Sequence, residues 1–363
     1  MLGNKKTAVG LDIGTHSIKL VQLERKHDQV KLVNYAIQEI FPEGKEYDAE
    51  KDNTVEYVSA LSDVFKRLKI DPKRLKQIYT SIGGEAVSVK QIKTVSLTED
   101  ELESSLRFEA RKHLPVGSSE IILDYQILGE DKDQGKIDVL LVVTTRKAYT
   151  KHAALLQQIG IKETAPVIDV DSLALVNSYV LLNAVNDDEI VVILNIGATR
   201  SVLAIYHRKG LFFTRDIPYG GNHFTHDLMR EYDVDFGVGE QIKYDKGIFP
   251  QADIDDNDPV TSVKMSRPSI SLAEKQTQEM LVDEVRRSLR YYFKESGRND
   301  FSRVLLTGGS AKIHSMDAFL SGQLHLPVSV YNPLEYMNLP GNMGVSEEPQ
   351  IAQAVGLALR FGE

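Results

Sequence analysis

The sequence contains no cysteine. That removes disulfides, cysteine-ligated zinc and thiol catalysis, and a reducing compartment is compatible with it. Positive charge is not in excess either: 43 Lys and Arg stand against 52 Asp and Glu, for a formal net charge of -9. No basic stripe dominates any segment, which argues against a general nucleic-acid binder. Long apolar runs are missing too, none approaching the ~20 residues of a membrane-spanning helix. Lys5 and Lys6 near the start have no apolar core behind them, because Asp12 and His16 interrupt the next stretch of chain. No signal peptide is expected. Neither a Gly-x-x-x-x-Gly-Lys-Ser/Thr loop nor a Gly-x-Ser-x-Gly elbow occurs.

What remains is a chain of 363 residues, 42% hydrophobic and 26% charged, which suits about two to three globular domains. Near its start, Val9-Gly10-Leu11-Asp12-Ile13-Gly14-Thr15-His16-Ser17-Ile18-Lys19-Leu20-Val21 sets two apolar runs around a Gly/Thr/Ser turn. Such a hairpin can turn successive backbone N–H groups toward one point and hold a phosphate there. Asp12, just before the turn, can hold a hydrated Mg2+ against phosphate oxygens, and the Lys19 ammonium can reach the same oxygens. A plain hairpin with a solvated lysine fits this stretch equally well.

Ile190 to Ile205 repeats the design, with Gly197-Ala198-Thr199 at the turn. A phosphate gripped from two sides needs two such hairpins. Val304-Leu305-Leu306-Thr307 then ends in Gly308-Gly309-Ser310, where backbone without side chains lets a ring or phosphate approach closely.

Between these stretches the pattern is mixed. Val30–Ile37 alternates as a strand, Thr54 to Leu68 has helical spacing closed by Asp71-Pro72, and Ile78–Ile82 is a short buried strand. From Val87 to about Ile161 the chain reads as a small unit of its own, with Thr98 and Glu101 as a capping box ahead of a helix. Ser172 to Val185 and Ile351 to Arg360 are apolar helices rich in small residues, suited to close crossing. In the second half, Leu211–Ile217 reads as a strand, Phe236 to Lys246 as a helix and Ile270 to Glu295 as a long helix. Glu240 and Lys243 share a helix face at i, i+3; they can hold the ribose and adenine side of a nucleotide, or form a surface ion pair. His223 and His226 lack a third metal ligand nearby, and Asp253, Asp255, Asn257 and Asp258 are out of register for a calcium loop.

The stretches Gly10–Gly14 with Ser17–Val21, Arg215–Gly221, Glu240–Lys243, Gly308–Ala311 and Ala354–Arg360 resemble the actin-like ATPase superfamily. Within it they resemble most closely the PilM family of type IV pilus inner-membrane assembly, and the likeness spans nearly the whole chain. It implies an α/β, two-lobed actin-like ATPase (ribonuclease-H-like) fold with an inserted subdomain of the FtsA/PilM type. The corresponding divisions are 1–86, 162–188 and 346–363 for subdomain 1A, 87–161 for inserted 1C, 189–236 and 301–345 for 2A, and 237–300 for 2B.

The resemblance further implies ATP with Mg2+ between the lobes. Gly14, Thr15, His16, Ser17 and Lys19 would lie on one side and Gly197, Ala198 and Thr199 on the other. Gly308, Gly309, Ser310 and Lys312 would lie against the adenosine, with Glu240 and Lys243 opposite and Asp12 on the hydrated metal. Asn195 departs from the superfamily, where an aspartate is common, so slow or negligible hydrolysis is expected. The implied partner is the cytoplasmic N-terminal segment of a PilN-like membrane protein, grasped between lobe one and the inserted unit. Pilus motor ATPases and a second copy of the chain are further candidate partners. FtsA typically carries an amphipathic membrane tail, whereas this sequence ends at Phe361-Gly362-Glu363. Association with the inner face of the inner membrane is therefore expected through a partner and without direct insertion. An FtsA-like filament protein and a small-metabolite kinase are the alternative readings.

Overall fold

The computed structural model describes residues 6–27, 29–112, 120–249, 275–341 and 344–361. The acidic stretch 250–258 and positions 270–274, including Leu272, fall outside them. In chain order, β1 (Lys6–Ile13), β2 (Ser17–Lys26) and β3 (Gln29–Glu39) form an antiparallel meander. After them come α1 (Thr54–Arg67), β4 (Ile78–Ile82), β5 (Val87–Val95), α2 (Glu99–Ala110), β6 (Ile121–Asp131), β7 (Lys136–Thr145) and α3 (Arg146–Gln158). Next are β8 (Pro166–Val170), α4 (Asp171–Val180), β9 (Ile190–Ile196), β10 (Ser201–His207), β11 (Phe213–Ile217), α5 (Gly221–Tyr232) and α6 (Phe236–Lys246). The described chain closes with α7 (Thr277–Ser296), β12 (Phe301–Thr307), α8 (Met316–Leu324), β13 (Val328–Val330) and α9 (Ala352–Ala358).

The strands form two five-stranded sheets of the same order. The first runs β3-β2-β1-β4-β8 and the second β11-β10-β9-β12-β13. In each, a three-strand meander continues into two parallel strands. The parallel steps return through helices on the faces, as such crossovers require. Each sheet therefore has a buried centre: Leu11, Leu20 and Ile78 in the first pack on Leu61 and Phe65 of α1, while Ile193, Leu203 and Leu306 in the second are likewise shielded. A third sheet, β5-β7-β6, is covered by Leu102, Leu106 and Ala110 of α2. At the start of α2, the Glu101 carboxylate accepts from the Thr98 N–H at 3.2 Å and hydroxyl at 2.7 Å, the expected capping box. α3 comes after that sheet in the chain but buries Leu156 in the first lobe's core with Phe65 and Ile78.

α4 and α9 cross between the lobes at backbone contact. A Cβ on Gly356 would overlap the Ala174 carbonyl oxygen, and one on Gly10 of β1 would overlap Ala354 O and lie 2.7 Å from Ala358 N. Glycine is the residue that permits such an approach.

Three elements differ from the sequence expectation. α4 stops at Val180 instead of Val185: the Leu182 N–H turns to the Tyr179 carbonyl three residues back, and the Asn183 N–H and side-chain amide crowd onto that same oxygen. β11 starts at Phe213 and not Leu211, since the Phe212 N–H is taken by the Gln91 side chain at 2.7 Å. Within the described residues the long helix begins at Thr277 and not Ile270.

Candidate functional site

β1–β2 and β9–β10 each close with a four-residue turn of the same geometry. The Gly14 N–H donates to Ser17 O at 3.2 Å, and the Gly197 N–H donates to Arg200 O at 3.0 Å. In each turn a Cβ on the glycine would come within 2.9 Å of that same carbonyl oxygen. The two turns face each other across the interlobe cleft, with the Thr15 and Thr199 hydroxyls 3.1 Å apart. Space between the two turns opens only as that hydrogen bond parts.

The Gly-Gly turn joins the same place. Gly308 has φ +89°, and a Cβ there would overlap Ile196 O and press on Asn195. The Ser310 hydroxyl lies 3.4 Å from Gly197 O. Gly309 is different: a Cβ there would meet only Gln350 Oε1, at an ordinary 3.7 Å. Protein packing does not require that glycine, whereas a ring or ribose lying on the backbone does. The start of α5 also abuts the second turn, the Gly221 and Asn222 N–H groups donating to Gly197 O and Ala198 O at 2.8 Å.

Lys243 and Glu240 of α6 lie beside this corner. The Lys243 ammonium donates to Gly221 O at 3.1 Å, to the Thr225 hydroxyl at 2.8 Å and to Glu240. Its three donors are thus used within the protein, and burial holds its pKa below the usual lysine value. His16, from the opposite lobe, is close enough to feel both charges; burial presses its pKa down. Lys312 points elsewhere, toward Glu348 at 3.8 Å.

At the deep end of the cleft Asp12 is 7% exposed. Its carboxylate pairs with Lys19 at 3.3 Å and accepts from Gln353 Nε2 at 2.9 Å. Burial raises its pKa, only partly countered by the Lys19 charge. The same Gln353 amide reaches Ser81 Oγ and Asp171 Oδ1, both at 3.0 Å. Asp171 Oδ2 takes Arg200 Nη2 at 2.6 Å, and Arg200 also pairs with Asp216. Burial works against the Arg200 charge, but the two carboxylates outweigh it and raise its pKa. No cluster of three or more metal-ligating side chains occurs among the described residues. A single carboxylate such as Asp12 nevertheless fits Mg2+, which keeps its waters and is held largely by phosphates.

Ser81, Asp171, Arg200, Gln353 and Glu46 were not singled out from the sequence. Glu46 crosses the cleft mouth, accepting from Asn222 Nδ2 at 3.2 Å and pairing with His226 Nε2 at 3.0 Å. One signal did exist: Arg200 stands where the first turn has Ser17. His223 Nδ1 accepts from the Gly220 N–H at 3.2 Å, and His226 is the residue that meets Glu46.

Two matched lobes closed by facing turns define the actin-like ATPase fold. Among solved structures, the PilM-PilN type IV pilus biogenesis complex superposes with a TM-score of 0.76 at 22% identity, covering 98% of each chain. The ethanolamine utilization protein EutJ from Carboxydothermus hydrogenoformans gives a TM-score of 0.52 at 17% identity, covering 100% of this chain and 91% of that one. The cell division protein FtsA of Escherichia coli (strain K12) is 25% identical over 328 residues, 80% of this chain and 74% of that protein. The FtsA family model matches residues 192–356. The model described as Type IV pilus assembly protein PilM matches residues 10–259. The chain belongs to that family.

Proposed function

We propose that this chain is a nucleotide-holding component of type IV pilus assembly that captures the N-terminal segment of a PilN-like membrane protein. The observation that carries the nucleotide half is the pair of superimposable turns brought face to face at Thr15 and Thr199. Gly14, Thr15, His16, Ser17 and Lys19 would face the phosphates from the first lobe, and Gly197, Ala198 and Thr199 from the second. Gly308, Gly309 and Ser310 would lie along the adenosine, with Glu240 and Lys243 beside it, while Lys312, turned toward Glu348, would take no part. Asp12 would hold hydrated Mg2+, whose charge neutralises the phosphates.

The partner half is supported by family membership and by likeness to a chain solved with PilN. No helix among the described residues is long and apolar enough to cross a membrane, so attachment at the inner face of the inner membrane would come through that partner. In this reading residues 87–161 are the inserted subdomain of the PilM scheme, and the peptide lies between it and the first lobe. The complex would pass the connection on to the pilus motor ATPases.

Calorimetry with Mg-ATP and with a synthetic partner N-terminal peptide tests both halves. Saturable binding of each is expected. Absence of peptide binding, together with phosphate transfer to a sugar, would move the chain to the kinase reading.

A further inference from the structure

At the phosphate end of the cleft each acidic or amide side chain is already committed. Asp12 is held by Lys19 and Gln353, and Asn195 Oδ1 accepts from the Thr307 hydroxyl at 3.2 Å. Asp171, the first residue of α4, has Gln353 on one oxygen and Arg200 on the other. Arg200, which closes the second turn, also holds Asp216, but only Asp171 is joined through the Gln353 amide to Asp12 at the deep end of the cleft. Gly83 leaves room for the ion pair: a Cβ there would overlap Asp171 Oδ2 and stand 2.6 Å from Arg200 Nη2. A cavity of about 200 Å³ opens beside the pair, lined by Gly83, Asp171, Arg200 and Asp216. That is room for several waters.

From this arrangement we infer that Arg200 is a positioning residue that holds Asp171 in an ion pair and so withholds it from activating water, keeping a bound ATP intact. The inference rests on the nucleotide reading above. Hydrolysis needs a water oxygen to bond to the γ-phosphorus while the bond to the β–γ bridging oxygen breaks. ADP leaves with that electron pair, inorganic phosphate forms, and the water's proton passes to a carboxylate. A carboxylate tied by a guanidinium on one oxygen and an amide on the other is a poor acceptor for it. Releasing the guanidinium supplies that acceptor.

The test uses the full chain with phosphate release from Mg-ATP, calorimetric binding of a non-hydrolysable ATP analogue, and thermal unfolding without nucleotide. Arg200→Gln removes the pair's cation, and Gly83→Ala separates the pair while leaving both charges in place. Both are expected to raise kcat by at least about tenfold, with analogue affinity within about threefold of the unaltered chain. Arg200→Gln combined with Asp171→Asn should fall back to the starting rate. In the nucleotide-free chain the melting shifts of Arg200→Gln and Asp171→Asn should be strongly non-additive. Variants that bind the analogue yet hydrolyse no faster would overturn the inference alone, as would additive melting shifts. If the unaltered chain binds no analogue, the nucleotide reading itself is lost and this one with it. Should Arg200→Gln fail to fold, Gly83→Ala carries the kinetic arm.

Discussion

The hairpin that opens the first lobe and the one that opens the second share a backbone but not a chemistry. Leu11-Asp12-Ile13-Gly14 and Leu194-Asn195-Ile196-Gly197 occupy equivalent strand ends, and each glycine N–H closes the same turn. In the first, the residue before the turn is an anion paired with Lys19 across the hairpin; in the second it is a neutral amide bonded to Thr307. Glycine and the antiparallel register shape the turn, while one side chain on each decides what it can do with a ligand. The position two residues before Asp12 differs as well: Gly10 lies against α9, and its counterpart Ile193 is an ordinary core residue.

That difference can be tested by substitution, beginning with the largest effect. Gly10→Ala places a methyl on the α9 backbone and should destabilise the chain by about 3–4 kcal/mol or prevent folding. Denaturant titration measures it. The first lobe also holds the half-buried imidazole of His152, bonded to the Thr80 hydroxyl at 3.0 Å, with desolvation taking its pKa down to about 4. Its native form is neutral, so its contribution is complete above the unfolded value near 6.5 and is lost as pH falls from there through about 4. The loss amounts to about 3 kcal/mol, and His152→Gln should flatten that part of the stability–pH curve.

Asp12→Asn makes the first turn chemically like the second and should weaken Mg-ATP binding about tenfold, or ~1.4 kcal/mol, by calorimetry. Smallest of all, Thr199→Val removes the hydroxyl contact between the turns. It should cost about 1 kcal/mol or less in thermal unfolding, because the two hydroxyls regain water when the lobes part.

Features written in local sequence were legible: both glycine turns, the Gly-Gly turn after β12, the capping box at Thr98 and the bounds of α6 all derive from short-range pattern. The ion-pair chain from Lys19 through Asp12, Gln353, Asp171 and Arg200 was not, since its members come from separate places in the sequence and sit at element ends without periodicity. Glu46 escaped for the same reason, being one acid in a polar loop until the fold sets it against α5. The late start of β11 was hidden because the Gln91 side chain takes a backbone N–H that a propensity argument assigns to the ladder, and the early end of α4 because the Leu182 N–H shifts to a carbonyl three residues back.

The most direct measurement is a crystal structure of the chain grown with Mg2+ and a non-hydrolysable ATP analogue. Phosphates are expected between residues 14–17 and 197–199, with the base against Gly309 and the 3.1 Å contact of Thr15 with Thr199 broken. An analogue bound elsewhere, with that contact intact, would refute the two-turn cleft as the nucleotide site.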